Sequence, residues 1–224
     1  MEELKKVPVV IINGFLGSGK TTLFSSLLSQ SKQKNISVCG IVNDMSDLDV
    51  DGEIIASSDF IENNNILESI HSCVLSSKKG IKKLDEALDK LCSNQNPKMI
   101  IIETSGSCHP MPLVEYFKNN EQFNLKKVYT LVDSLMLSHD FNYGKNLIPQ
   151  MQANITNYKR DIVNLLVEQI MFSSDLILTK TDRIKKEKIA HIVQQIQGIN
   201  PLSLIHISEP TRPRLISYAV FCLK

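Results

Sequence analysis

Short apolar runs recur along the chain, each followed by a polar or glycine-rich segment. They predict strands at 7–12, 36–43, 99–104, 128–133 and 176–179. Between them, apolar residues at helical spacing predict helices at about 22–28, 82–91, 161–172 and 185–197. Continuous apolar strands separated by helices are typical of a parallel sheet covered on both faces. We therefore predict an α/β fold that binds its ligand at the carboxyl ends of the strands.

A glycine-rich segment joins the first predicted strand to the first predicted helix. Residues 14–21 read GFLGSGKT and match the phosphate-binding pattern G-x-x-x-x-G-K-[ST]. Glycines let the backbone curl so that successive N–H groups face the phosphates, and the helix that follows adds its positive end. Lys20 would reach the β- and γ-phosphates, and the Thr21 hydroxyl would ligate Mg²⁺. We predict a P-loop nucleoside triphosphatase.

A second motif, at 179–182, follows the last predicted strand and bears on the choice of base. Its sequence TKTD fits the pattern [NT]-K-x-D, in which the Asp182 carboxylate accepts the ring N–H and the exocyclic amine of guanine. Adenine offers no such pair of donors. Thr179, Lys180 and Asp182 are therefore predicted to bind the base of GTP, the alternative being that Asp182 is a solvated loop residue.

Composition and charge exclude several classes of partner. The chain has 224 residues and a formal net charge of +1, so no strong field attracts it to nucleic acid or to an anionic membrane surface. Its N-terminus lacks the apolar core of a signal peptide. The five cysteines are odd in number and form no C-x-x-C pair. We expect a cytoplasmic protein without nucleic-acid or membrane partners.

Four segments in this order resemble the CobW-type GTPases. They are the phosphate loop, Asn43-Asp44-Met45-Ser46 (43–46), Glu103-Thr104-Ser105-Gly106 (103–106) and the motif at 179–182, and the resemblance covers about residues 7–201. Members of this family are implicated in delivering zinc, cobalt or nickel to client proteins. The resemblance implies a P-loop fold, GTP hydrolysis with GTP and Mg²⁺, a metalloprotein client and a homodimer. It also implies a divalent transition metal such as Zn²⁺.

The resemblance assigns roles to individual residues. Lys20 and Glu103 would be catalytic, with Glu103 near the γ-phosphate to orient water, and Gly106 would donate its N–H to that phosphate. Asp44 and Asp51 would join Thr21 around Mg²⁺, unless this acidic segment is only a solvated turn. The phosphates and the metal would be cradled by Gly14, Gly17, Ser18, Gly19, Lys20, Thr21 and Thr22.

The chain departs from the family where many members carry a C-x-C-C cluster of thiolate ligands. The segment 70–77 aligns with that cluster, but only Cys73 remains. His71, Cys108 and His109 would complete a set of four transition-metal ligands if their loops converge. The alternative is that these cysteines and histidines are buried or incidental.

Residues 202–224 resemble translated sequencing-adapter read-through. We therefore expect a GTP-binding domain at 1–201, followed by a non-native tail that replaces the last strand and the C-terminal domain of the family. Ile205 and Ile207 can still pair as an edge strand, and His206 and Cys222 are expected to have no function.

The function predicted from the sequence is a Mg²⁺-dependent GTP-hydrolysing switch that serves as a zinc- or cobalt-class metallochaperone. Three alternatives stay open. They are a nickel-maturation GTPase, a small-molecule kinase of the P-loop type, and a nucleotide-binding fragment without catalytic activity.

Overall fold

The computed structural model describes residues 6–44, 67–94 and 96–208. Strands and helices alternate along most of these ranges. The strands are β1 (Val7–Gly14), β2 (Val38–Asp44), β3 (Leu67–His71), β4 (Met99–Glu103), β5 (Phe123–Asp133), β6 (Asp175–Thr179) and β7 (Leu204–Ile207). The helices are α1 (Lys20–Gln33), α2 (Lys78–Asn94), α3 (Pro110–Lys118), α4 (Ser134–Asp140), α5 (Leu147–Thr156), α6 (Ile162–Met171) and α7 (Lys186–Ile199), and a 3₁₀ turn covers Thr181–Arg183.

The seven described strands form one sheet in the order β3-β2-β4-β1-β5-β6-β7. Every pairing is parallel, with Ile11 of the central strand β1 in register with Ile102 on one side and Val128 on the other. The predicted α/β fold with a parallel sheet is confirmed. Because the strands are parallel, the segments that follow β1, β2, β4 and β6 all emerge at the same edge of the sheet.

Alternate residues of each inner strand enter two different cores. In β1, Val9 and Ile11 pack in a cluster with α2 and α3, whereas Val10 and Ile12 pack with Phe24 and other residues of α1. All four β1 side chains are fully buried. This two-sided burial explains why the strand reads as a continuous apolar run.

A third core holds the half of the sheet that carries β6. Leu176 and Leu178 of β6 pack with Leu166 and Ile170 of α6 and with apolar residues of α4 and α7. Helix α6 begins at an Asp161 cap whose side chain accepts the Val163 N–H. The predicted helix at 161–172 is therefore confirmed within one residue at each end.

The structure adds elements that the hydrophobic pattern did not predict. Strand β3 and helices α3, α4 and α5 were missed, and β5 begins at Phe123 instead of 128. In the first half of β5 exposed residues alternate with less exposed ones, and four of the five residues of β3 are only partly buried, so neither forms a continuous apolar run. The predicted edge pairing of Ile205 and Ile207 is confirmed, since both lie in β7 against β6. The domain boundary at 201 stays a prediction.

Within the described residues, no helix is long and apolar enough to cross a membrane.

Candidate nucleotide-binding site

The backbone of the phosphate loop takes conformations that favour glycine. Gly14, Gly17 and Gly19 have φ angles of 138°, 72° and 97°, in a region that L side chains rarely enter. At Gly14 an added Cβ would also lie 2.4 Å from the Leu131 carbonyl oxygen of β5. The glycines therefore produce the turn that carries the chain from β1 into α1.

Lys20 and Ser18 lie within this loop and are buried. The Lys20 side chain folds back over the loop, and its Nζ donates to the Phe15 carbonyl oxygen at 3.1 Å. Ser18 is fully buried, and its hydroxyl has no hydrogen-bond partner within the described ranges. A curled backbone with an ammonium group above it fits a polyphosphate, which would offer acceptors to both side chains.

Thr21 and Glu103 meet at the carboxyl end of the sheet. The Thr21 hydroxyl, in the first turn of α1, donates to Oε1 of Glu103 at 2.6 Å. Glu103 is the last residue of β4 and is only 3% exposed. Two adjacent oxygen side chains fit a hard divalent cation such as Mg²⁺.

The acidic segment predicted to help bind Mg²⁺ is only partly described. Asp44 ends β2 at the same edge of the sheet, but its side chain lies outside the description, and Asp51 lies outside the described residues altogether. The Mg²⁺ ligand set of Thr21, Asp44 and Asp51 therefore stays a prediction.

Lys20, Thr21 and Glu103 line a cleft of about 640 Å³. The phosphate loop and α1 form one wall and the segment after β4 forms the other. An added Cβ at Gly106 would lie 2.7 Å from the Leu16 nitrogen, so only glycine lets the two walls approach so closely. The lining residues are Phe15, Leu16, Gly17, Gly19, Lys20, Thr21, Thr22, Asn43, Glu103, Thr104, Ser105, Gly106 and Ser107.

Asn43 connects three segments of the site, a role that was not predicted. Its Nδ2 donates to the carbonyl oxygens of Ile70 and Cys73 at 3.0 and 2.8 Å. Its Oδ1 accepts the N–H groups of Leu75 and Ser105 at 3.3 and 3.4 Å. The only sequence signal for this role is a polar residue at the carboxyl end of a buried strand.

The predicted guanine motif is connected to the phosphate loop. The Thr179 hydroxyl donates to the Ser18 carbonyl oxygen at 3.0 Å. Lys180 has a φ of 56°, and its Nζ donates to the Asp133 carboxylate. Asp182 lies in the exposed 3₁₀ turn and does not line the cleft.

Asp133 is a further polar residue that the sequence analysis did not single out. It caps α4 by accepting the Leu135 and Met136 N–H groups, in addition to its ion pair with Lys180. The sequence signal for this role is an aspartate at the end of a predicted strand, which is a common position for the N-cap of a following helix.

The predicted transition-metal set of His71, Cys73, Cys108 and His109 does not assemble. No three His, Cys, Asp or Glu side chains in 6–44, 67–94 and 96–208 lie close enough together to hold a metal ion. His109 Nδ1 instead lies 2.6 Å from a Glu168 carboxylate oxygen on α6.

Cys73 and Cys108 are both buried in the apolar core that contains α2 and α3. Burial raises the pKa of the Cys108 thiol to about 11, although hydrogen bonds with Ser76 oppose the shift. The thiol is therefore neutral at pH 7. The alternative, that these cysteines are buried core residues, describes their surroundings in this structure.

The parallel sheet and the phosphate loop define a P-loop nucleoside-triphosphatase fold. The family model described as "CobW/HypB/UreG, nucleotide-binding domain" matches residues 8–206. The chain belongs to this family.

Curated relatives carry names that refer to zinc. The chain is 31% identical over 227 aligned positions to "Zinc chaperone CobW" of Pseudomonas aeruginosa, covering 96% of this chain and 59% of that protein. It is 29% identical over 215 residues to "Zinc-regulated GTPase metalloprotein activator 1" of Dictyostelium discoideum, covering 88% of this chain and 44% of that protein. The chain thus spans about half the length of these relatives.

Solved structures share the fold at low sequence identity. HypB from Helicobacter pylori in complex with nickel aligns with a TM-score of 0.58 at 15% identity, over 96% of this chain and 83% of that one. The signal recognition particle receptor FtsY from Elizabethkingia anophelis aligns with a TM-score of 0.57 at 15% identity, over 94% and 61%.

Proposed function

We propose that this chain binds GTP with Mg²⁺, hydrolyses it slowly and uses the change of nucleotide as a switch. The observation that carries the proposal is the pair of Thr21 and Glu103, 2.6 Å apart in the same cleft as Lys20. The contact of Thr179 with the glycine-rich loop supports guanine as the base, because a hydroxyl of the motif at 179–182 donates to the Ser18 carbonyl oxygen.

The residues of the cleft would have different roles in hydrolysis. Lys20 and the N–H groups of the curled loop would neutralise the phosphates, and Glu103 would orient the attacking water. Mg²⁺, held by Thr21 and nearby acidic oxygens, would supply positive charge to the phosphate oxygens. Catalysis of this kind depends on positioning and charge stabilisation. Because none of the four sequence motifs contains an arginine that could stabilise the transition state, turnover by the isolated chain is expected to be slow.

We further propose that the switch serves metal delivery to a metalloprotein client, with zinc favoured over cobalt and nickel. The names of the two relatives above support zinc, whereas the nickel-bound HypB structure supports the shared fold. The proposal includes binding of a client, formation of a homodimer and a cytoplasmic location. These are properties of whole proteins, and the chain spans about half the length of those relatives. A metal site would then need ligands beyond the set of 71, 73, 108 and 109.

Fluorescent nucleotide analogues test the nucleotide part directly. Titration of the purified chain with labelled GDP and GTP, with Mg²⁺ or with EDTA, is expected to show tight binding that ATP does not compete away. Lys20→Ala should weaken triphosphate binding by roughly 100-fold, because a charge-assisted contact is lost. Lys145→Ala, on the segment before α5, is the matched control and should change nothing. Preference for ATP over GTP would contradict the proposal and favour a P-loop kinase.

Metal delivery is tested separately by zinc titration in the GDP and GTP states. A change in zinc affinity between the two states is expected. Guanine-nucleotide binding with no turnover and no zinc binding would instead indicate a non-catalytic nucleotide-binding fragment.

A further inference from the structure

Helix α6 holds the segment that follows β4 through a buried side chain. Gln169, in α6, is fully buried. Its side-chain Nε2 donates to the Gly106 carbonyl oxygen at 3.2 Å and to the Cys108 carbonyl oxygen at 3.1 Å. One amide group therefore fixes two peptide units of the wall that faces the phosphate loop.

The backbone around Gln169 is itself fixed. The Thr130 hydroxyl of β5 donates to the Gln169 carbonyl oxygen at 3.1 Å. One residue earlier on α6, a Glu168 carboxylate oxygen lies 2.6 Å from Nδ1 of His109, at the far end of the same segment. The amide of Gln169 thus acts from a rigid support that is joined both to the sheet and to the segment it holds.

Peptide geometry carries this restraint into the cleft. The described peptide bonds are all trans, and in a trans peptide the C=O and the next N–H point in opposite directions. With the Cys108 carbonyl turned towards Gln169, the His109 N–H points away and donates to the Ser76 hydroxyl at 3.2 Å. By the same rule, the Ser107 N–H points away from Gln169, and Ser107 lines the cleft.

Gln169 is a costly residue to place at this position for stability alone. Its Oε1 is buried and has no hydrogen-bond partner within the described part of the chain. An unsatisfied buried acceptor opposes folding. The two N–H groups of the amide are therefore the reason to have glutamine here.

We propose that Gln169 is a positioning residue that keeps the backbone N–H group of Ser107 directed at the terminal phosphate of a bound nucleoside triphosphate. This inference rests on the proposed function and deepens it. A diphosphate lacks the group that this donor would contact. Gln169 therefore acts on the distinction between the triphosphate and the diphosphate, and through it on hydrolysis.

The test uses Gln169→Met, which keeps an unbranched side chain of similar length and removes both donors. Labelled GDP and a labelled non-hydrolysable GTP analogue are titrated with Mg²⁺, and single-turnover GTP hydrolysis is measured. GDP affinity is expected to stay within about twofold, while analogue affinity and the hydrolysis rate each fall about tenfold.

Asn200→Ala is the matched control. Asn200 is also buried, and its Nδ2 donates to the Ile170, Met171 and Ser173 carbonyl oxygens at the C-terminal end of α6, directly after Gln169. Its loss should lower the melting temperature and leave the ratio of analogue to GDP affinity unchanged. This control separates support of the helix from positioning of the cleft wall.

A folded Gln169→Met protein with the wild-type affinity ratio and hydrolysis rate would overturn the proposal. Hydrogen exchange on the wild-type chain gives a second test that needs no variant. Backbone amides of 105–109 should exchange more slowly with the analogue than with GDP, and equal exchange contradicts the role of Gln169. Failure of the wild-type chain to bind either guanine nucleotide would instead contradict the proposed function.

Discussion

The two ends of the proposed nucleotide site are built differently. At the phosphate end Ser18, Lys20 and Glu103 are each less than a tenth exposed, and left-handed glycines shape the backbone between them. At the base end Asp182 is exposed in a short 3₁₀ turn. The two ends are connected by Thr179 and Ser18, which lie 161 positions apart in the chain.

The two ends would draw their binding energy from different sources. The phosphate end is formed mainly by one continuous segment whose glycines have positive φ angles, so it depends on local conformation. The proposed base end would rely on one exposed carboxylate whose position depends on the packing of β6 against β5. Substitutions at the phosphate end should therefore affect both folding and binding, and those at the base end should affect binding alone.

The largest effect is expected for Gly14→Ala. The added Cβ meets the Leu131 carbonyl at 2.4 Å, and the φ of 138° disfavours any L side chain. The free energy of unfolding should fall by about 3 kcal/mol, as measured by urea denaturation. Gly198→Ala is the control, since its Cβ would meet nothing within 4 Å inside α7, and it should be neutral or slightly stabilising. Equal stability of the two variants would remove the distinction between the ends.

Asp182→Asn tests the base end. The amide can no longer accept two N–H groups from guanine, so GTP affinity should fall roughly 10- to 100-fold while the melting temperature stays unchanged. Affinity for xanthosine triphosphate should rise, because the amide N–H can donate to the oxygen that replaces the exocyclic amine. Asp89→Asn, on the exposed face of α2, is the control. Unchanged GTP affinity in Asp182→Asn would show that this residue does not bind the base.

Thr179→Val tests the link between the two ends. The change keeps the shape of the side chain and removes the hydrogen bond to the Ser18 carbonyl, so we expect a loss of about 1 kcal/mol in guanine-nucleotide binding. Competition titrations with GDP measure it. Thr156→Val, which removes an exposed hydrogen bond to the Gln152 carbonyl at the end of α5, should leave the affinity unchanged. A similar loss in both variants would contradict a specific link.

The smallest effect on the site is expected from the ion pairs at the opposite edge of the sheet. Burial raises the pKa of the Asp175 carboxyl, but hydrogen bonds and charges of His206 and Lys127, at 2.9 and 2.7 Å, outweigh it and lower the pKa below its usual value. The ionised carboxylate thus stabilises the fold at neutral pH, and this stabilisation is lost as the pH falls through the lowered pKa.

Melting temperatures of the wild-type chain and Asp175→Asn between pH 7 and pH 3 test this sign. The advantage of the wild-type chain should be full at pH 7 and should shrink below about pH 4. Nucleotide affinity at pH 7 should be the same in both proteins. If the melting temperature of Asp175→Asn instead approached that of the wild-type chain as the pH rose, the pKa of Asp175 would be shifted in the opposite direction.

His206 lies in the tail expected to have no function, and in this structure it contacts Asp175. The contact is structural, and it joins β7 to β6 at the edge of the sheet. The non-native origin of 202–224 stays a prediction. Sequencing the transcript across the codon for Pro201 tests it.

Continuous segments of the sequence were sufficient for the fold class, for the phosphate loop and for the strands buried on both faces. Lys20 and its glycines lie within eight consecutive positions of the loop, and local backbone geometry decides what such a segment can bind. The inner strands could be recognised because two-sided burial leaves a continuous apolar run. Strand β3 and the first half of β5 were missed because most of their residues are only partly buried or exposed, so polar residues interrupt the apolar pattern.

Contacts between distant segments were decided by the tertiary structure. The contacts of Asn43 and Gln169 could not be predicted from their neighbours in the chain, because the carbonyl groups that each holds come from other elements. The same packing joins His109 to Glu168 and buries Cys108, and within the described residues it brings no three potential metal ligands together. A side chain that acts through long-range hydrogen bonds has no local pattern, since its partners become neighbours only when the sheet and its helices have packed.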